Sequence, residues 1–254
     1  MDNGNRKVDG TGWKRFRLKE KKNEADGVKS FIFESTETQM YFLPGQHVII
    51  RFPDLEGDQR GKMRHFSIST SPLEGKYIGI TTSIEPMDSP FKRRLDSLDK
   101  GEEVDVFGAI GKFIFEPSLW KERIIVLVAG GIGITPFRSM IKYALSMNGN
   151  FRIRLLYSGK TSNNLIFRKE LDGLATGDSR LKIFYTVTGE PEGSGNLHRG
   201  RIDQEFIRAN VEELDNAIFY ICGPPRMVDE ETRVIVSDLG VDRNRIRTEQ
   251  FLGY

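Results

Sequence analysis

Residues Ile124–Ala129 are six aliphatic residues in a row, and they run directly into the turn Gly130-Gly-Ile-Gly133. An uninterrupted apolar strand of this length needs cover on both faces, which is how strands sit in a parallel sheet sandwiched by helices. The segment after the turn supplies such cover. Between Thr135 and Met147, residues Phe137, Met140, Ile141, Ala144 and Leu145 recur on one helical face. Further strands are predicted at Arg152–Tyr157, Lys182–Val187 and Ala217–Cys222, with helices near Leu165–Leu174, Gln204–Asn210 and Met227–Leu239. Strand–helix alternation of this kind predicts an α/β parallel-sheet domain.

The first half has another rhythm. From Trp13 to about Phe115, short apolar stretches at Lys14–Lys21, Val28–Glu34, His47–Phe52, His65–Thr70, Tyr77–Ile84 and Glu103–Phe107 alternate with Gly, Pro and Asp turns such as Pro44-Gly45 and Gly57-Asp58. Closely spaced strands of this type predict an antiparallel β barrel or sandwich. One helix, Phe91–Leu98, interrupts them. The polar stretch Glu116–Glu122, containing Pro117, is the expected joint, dividing the chain into a β-barrel domain over 1–118 and an α/β domain over 119–254.

Composition narrows the chemistry. The longest aliphatic run is far short of the roughly 20 residues a membrane-spanning helix needs. The first residues, MDNGNRKVDGTGW, contain no apolar core of a secretory signal, so a cytoplasmic location is expected. Net charge is +2 with lysine and arginine interspersed among acids, a poor match to a nucleic-acid backbone. Cys222 is the one cysteine, beside three histidines. Disulfides, cysteine-ligated iron–sulfur clusters and zinc are therefore not expected, and no metal site is predicted. A chain like this moves electrons only with an organic cofactor.

Two segments carry that possibility. A glycine turn between a buried strand and a helix lets a pyrophosphate approach the backbone at Gly130, Gly131 and Gly133, against the helix's free N–H groups. Pro136 suits the first turn of that helix. A tight connection with no ligand is the other reading of such glycines. In Arg64-His-Phe-Ser-Ile-Ser-Thr70, a guanidinium, an aromatic ring and a hydroxyl lie close together. These are the groups that grip a phosphate, stack on a planar heterocycle and donate to a ring nitrogen. A plain strand with a surface arginine and a core phenylalanine has the same composition.

Arg64-x-Phe66-Ser67-x-x-Thr70 resembles the R-x-Y-S-x-x-S flavin motif of the ferredoxin–NADP reductase family. Gly130-Gly131-x-Gly133-x-Thr135-Pro136 is similar to that family's nicotinamide-phosphate loop, and Cys222-Gly223-Pro224 to its C-G-P segment. Ser89-Pro-Phe-Lys-Arg-Arg-Leu95, ahead of Gly101-Glu102, and Gly108-Ala-Ile-Gly-Lys-Phe113 also have counterparts, in the family's order. The resemblance implies a flavin-dependent NAD(P)H oxidoreductase. It would transfer hydride between nicotinamide C4 and flavin N5, with FAD rather than FMN as flavin, and electrons to or from a one-electron acceptor such as ferredoxin or flavodoxin.

The resemblance also implies roles. Arg64 binds flavin phosphate, with His65 beside it. Phe66 packs on the isoalloxazine where the family usually has tyrosine, and Ser67 reaches flavin N5. Ser89 and Lys92 face the pyrophosphate, Lys92 standing where relatives carry Ser or Thr, and Thr81 and Thr82 face the adenylate side. Thr135 and Cys222 lie near the nicotinamide, with Gly223 and Pro224 adjacent; a small buried hydrophobe is the other reading of Cys222. Tyr254, the last residue, covers the flavin ring. The second parallel strand ends Tyr157-Ser158-Gly-Lys160 without the acid that grips a ribose hydroxyl. Ser158 and Lys160 are therefore candidate contacts to a donor that is NADPH or NADH. Alternative activities are a flavin or ferric-chelate reductase and a flavin-binding electron-transfer subunit of a larger assembly.

Overall fold

The computed structural model describes residues 12–37, 39–85, 88–189 and 197–251. Tyr254, expected over the flavin, lies outside them. The first half forms β1 (Lys14–Ala25), β2 (Val28–Ser35), β3 (His47–Arg51), β4 (Met63–Ser67), β5 (Tyr77–Ser83) and β6 (Glu103–Ile110). They make one antiparallel sheet in the order β4-β3-β6-β1-β2-β5. Alternate residues point inward, burying Phe31 and Phe33, Val48 and Ile50, Val104 and Val106. The two outer strands meet: Ile68 bridges Ile80, and the Ser69 N–H donates to the Gly79 carbonyl at 2.8 Å. The sheet curls into a barrel whose edges cover each other. Helix α1 (Pro90–Ser97), capped by Ser89, adds Phe91 and Leu95 to the barrel core.

The joint is more than a polar linker. Glu116–Glu122 contains a helical turn, α2 (Pro117–Trp120), whose Trp120 is wholly buried and donates its indole N–H to the Tyr220 hydroxyl at 3.2 Å. One apolar ring among polar neighbours was enough to turn a connection into an anchor.

The second sheet consists of β7 (Ile124–Gly130), β8 (Arg152–Gly159), β9 (Leu181–Val187), β10 (His198–Arg199), β11 (Ala217–Gly223) and β12 (Ile246–Gln250). All pairs are parallel, in the order β10-β9-β8-β7-β11-β12. Every residue of β7 is buried, and its alternation divides two cores. Ile125, Leu127 and Ala129 pack with α3 (Ile134–Ser146) and α4 (Arg168–Gly177) on one face. Ile124, Val126 and Val128 pack with α5 (Gln204–Asn210) and α6 (Pro225–Arg233) on the other. Among the described residues no helix is long and apolar enough to cross a membrane, and no group of three or more His, Cys, Asp or Glu is placed to hold a metal.

Several elements differ from expectation, among them the short strand β10, which was not anticipated. The helix expected at Leu165 begins at Arg168, because Leu165 and Ile166 are buried from a loop stapled by a reciprocal Thr161–Asn164 cap, and Phe167 takes a left-handed φ of 60°. The last helix starts earlier, at Pro225, and ends in a π-type turn over Val234–Asp238. Strand β12 was not anticipated: only Ile246 in it is apolar, and it is a strand because β11 offers it an edge.

A partly buried ion cluster joins the two sheets' domains. Arg138 of α3 donates to the Ser69 carbonyl at 2.7 Å, to Glu74 at 3.1 Å and to Glu170 at 2.7 and 2.8 Å. Lys142, one turn on, reaches the same two carboxylates at 2.7 and 2.9 Å. Ser139 donates to the Thr70 carbonyl at 2.7 Å. Two cations face two anions across the junction, and the glycine turn at the start of α3 is thereby held against the barrel strand that ends at Ser67.

Candidate functional site

Strand β7 is where the parallel sheet changes direction, with β8 on one side and β11 on the other. A crevice opens outside the carboxyl ends of strands at such a switch point. Here the barrel closes that crevice into a cavity of about 500 Å³. Arg64, His65, Phe66 and Ser67 of β4, Thr81 and Thr82 of β5, and Ser89 and Lys92 at α1 form the barrel side. Ile132 and Thr135 of the glycine turn, with Glu249, Gln250 and Phe251 at the end of β12, form the other.

At one end, the Ser67 hydroxyl donates to Glu249 Oε2 at 3.3 Å, and His47 Nδ1 lies 4.0 Å from Glu249 Oε1. The His47 and His65 rings are 5.2 Å apart. Burial pushes the Glu249 carboxyl up to about 7, the Ser67 hydroxyl pulling the other way. Burial, with the neighbouring His65, lowers the His47 imidazole. A proton can therefore be held or released at this wall near neutral pH. The ordinary value for Glu249 is 4.5, so the protonated form is favoured by folding. The stability this contributes is complete below 4.5 and lost as pH rises through about 7. Against Glu249→Gln, the protein as it stands should lose about 1–3 kcal/mol between about pH 5 and about pH 8, read from urea unfolding. A constant difference across that range would show that Glu249 titrates normally.

At the other end, Arg64 lies over the Phe91 ring at 5.0 Å and donates to Asp58 Oδ1 at 2.5 Å. Asp58 Oδ2 accepts from the Phe91 N–H at 3.0 Å and the Ser89 hydroxyl at 3.2 Å. The Lys92 ammonium donates to the Glu85 carbonyl at 3.0 Å. Thr81 is drawn into a buried hydroxyl chain with Ser30 and Ser69, at 2.7 and 3.1 Å, while Thr82 bonds the Ser83 carbonyl at 3.3 Å.

The glycine turn is shaped first by packing. A Cβ at Gly133 would overlap the Cys222 carbonyl, and one at Gly130 would overlap the Met227 sulfur. Gly131, at φ +52°, looks into open space. Gly133→Ala should cost about 1–3 kcal/mol in urea unfolding, because a strand carbonyl cannot move aside as a methionine can. A loss below about 0.5 kcal/mol would mean that β11 yields at its end. Thr135 donates to the Ile132 carbonyl at 3.0 Å, and Pro136 is buried in the first turn of α3.

Cys222 is wholly enclosed, burial holds its thiol well above the usual range, and the cavity wall runs past without it. Ser158, paired with Gly130, and Lys160 lie at and just beyond the carboxyl end of β8, while Gly223 and Pro224 lead into α6. These four are outside the wall as well. Sequence reasoning passed over His47, Asp58 and Glu249. An isolated histidine or acid carries no motif, and only the pairing of Cys222 with Glu249 in β11–β12 delivers the latter to the site.

The residues fit a flavin nucleotide. A hydroxyl and a half-buried carboxyl meet at one end, and the Phe66 ring lines the barrel side 6.0 Å from that of Phe91. An arginine, a hydroxyl and a helix start meet at the other, where Asp58 holds them. The Oxidoreductase NAD-binding domain family matches residues 127–232. A flavohemoprotein of Bacillus subtilis is 29% identical over 251 residues, covering 94% of this chain and 60% of the relative. The NADH-cytochrome b5 reductase 1 of Ajellomyces capsulatus is 29% identical over 240 residues, covering 90% of this chain and 75% of the relative. The crystal structure of the cytochrome b5 reductase domain of Ulva prolifera nitrate reductase superposes with a TM-score of 0.79 at 25% identity, covering 93% of this chain and 97% of that one. The chain thus spans 60% of the length of the flavohemoprotein it matches. A closed six-stranded barrel, a parallel sheet with its glycine turn and the cavity between them agree with these likenesses: the chain has the two-domain fold of these reductases and is similar to the FAD/NAD-binding proteins of the ferredoxin reductase-like kind.

Proposed function

We propose that the chain takes hydride from NADH onto FAD held against the barrel and passes the electrons singly to a heme-protein acceptor. The observation that carries this reading is the cavity at the domain junction, where the Arg64–Ser67 strand faces the Ile132–Thr135 turn. Bound FAD supplies the two-electron to one-electron conversion. The chain's own residues bind, orient and exclude water. Phe66 gives the ring a flat apolar wall, Ser67 offers a hydroxyl, Glu249 holds or releases a proton beside it, and Thr135 borders the space left for the nicotinamide.

NADH as donor and heme as acceptor are favoured by the names of the relatives, a flavohemoprotein and an NADH-cytochrome b5 reductase. A ferredoxin- or flavodoxin-like acceptor would need a basic rim at the flavin edge. Of Lys92, Arg93 and Arg94 on α1, Lys92 is tethered to the Glu85 carbonyl and Arg94 is paired with the Glu102 carboxylate at 3.2 Å, which offsets part of the rim's positive charge. The test is the visible spectrum of purified protein with FAD, followed by anaerobic NADH or NADPH and then cytochrome b5 or ferredoxin. Bleaching by NADH and re-oxidation by cytochrome b5 are expected. A protein that takes up no flavin overturns the reading; bleaching by NADPH alone, or re-oxidation by ferredoxin alone, overturns its donor or its acceptor.

A further inference from the structure

At the α1 end of the cavity the chain supplies an anion of its own. Asp58 lies in the turn between β3 and β4 with its side chain 5% exposed. Besides the Phe91 N–H and the Ser89 hydroxyl on Oδ2, it accepts on Oδ1 from Arg64 Nη2 at 2.5 Å and the Arg60 N–H at 2.9 Å. Burial pushes this carboxyl up, yet the Phe91 and Arg60 N–H groups and the Arg64 guanidinium outweigh it and hold it at about 2. It is a permanent anion at physiological pH. Arg64 Nη1 in turn donates to the carbonyls of Arg60, Gly61 and Met63 at 3.0, 2.8 and 2.8 Å, so the loop wraps around the guanidinium that it neutralises.

A helix start, a hydroxyl and an arginine fork are also what a diphosphate requires. Two anions cannot share those donors: the charges repel, and each N–H has one hydrogen to give. Resting on the reading that a flavin nucleotide enters this cavity, we propose that Asp58 is an internal competitor of the flavin diphosphate. It occupies Arg64, Ser89 and the start of α1 until the nucleotide displaces it together with the loop Pro53–Lys62. The flavin is then an exchangeable ligand whose affinity the protein itself sets low. With the closed form favoured about tenfold, apparent affinity for a phosphate-bearing flavin falls by the same factor, since only the open fraction binds. Riboflavin has no phosphate and does not meet the competitor.

The full-length apoprotein and its Asp58→Asn variant are titrated with FAD and with riboflavin, following quenching of flavin fluorescence. Asparagine keeps the shape and removes the charge. FAD should bind the variant about tenfold more tightly, with riboflavin unchanged. Weaker or equal FAD binding by the variant would overturn the inference, weaker binding identifying Asp58 as a residue that positions Arg64. No binding of either flavin to either protein would overturn the reading of the site, and this inference with it. Should the variant fail to fold, hydrogen exchange on the unaltered protein decides. Uptake in residues 53–62 should rise when FAD is added, and protection there would refute displacement.

Discussion

Replacing Ser67 with alanine should slow reduction of bound FAD by NADH about one hundredfold while changing FAD affinity by no more than about tenfold. The two readouts separate because, on the proposed reading, the nucleotide is held by the phosphate end and the Phe66 wall, whereas the Ser67 hydroxyl stands in the cavity wall between the barrel and the glycine turn. A single donor aimed at charge that develops during reaction contributes more to the transition state than to binding. The same change removes the hydroxyl that donates to Glu249 Oε2 at 3.3 Å and lowers that carboxyl. Any pH dependence assigned to Glu249 should then move to higher pH. Anaerobic stopped-flow single turnovers measure the rate. A rate within about twofold of the unaltered protein would remove Ser67 from the reaction.

The second large effect is on stability. Arg138→Met should destabilise the protein by about 3–5 kcal/mol, since Glu74 and Glu170 would be left partly buried with Lys142 alone between them. Burial lowers the Arg138 guanidinium, but the carboxylates of Glu170 and Glu74 outweigh it, so the cation is secure across the working pH range. Methionine fills much of the same volume, and the loss is therefore one of charge compensation more than of packing. Because Arg138 also holds the Ser69 carbonyl at 2.7 Å, two residues beyond Ser67, the variant should bind FAD more weakly as well. Urea unfolding and FAD titration measure both. Converting Glu74 and Glu170 to glutamine in the same background should restore much of the stability. Were the single variant as stable as the parent, the cluster would be a surface network of no structural consequence.

Much of this protein could be read along the chain. The uniform run Ile124–Ala129 became the fully buried centre of the parallel sheet, because an all-apolar strand has no exposed face to offer. Alternation placed the barrel strands within a few residues, since Phe31 and Phe33 or Val48 and Ile50 have only one inside to point to. Arg64 to Ser67, Ser89 and Thr135 met in one cavity because each is tied to a strand end or a helix start whose position follows from the fold.

What the chain did not announce depends on partners distant in sequence. Strand β12 carries little apolar pattern and exists because β11 lends it hydrogen bonds; with it came Glu249, which nothing local distinguishes from any other acid. Trp120 turned a polar joint into an anchor through Tyr220, a hundred residues on. The glycines of the turn were read as room for a phosphate, yet Gly133 is required by the Cys222 carbonyl, an obstacle visible only when β11 lies alongside. Asp58 sits in an ordinary surface-type turn, and its meaning arises when Arg64, Ser89 and α1 converge on it. Periodicity reports which face is buried. Which group a buried or half-buried charge will meet is decided by long-range closure of the chain, and the electrostatics of this site belong to that second kind of information.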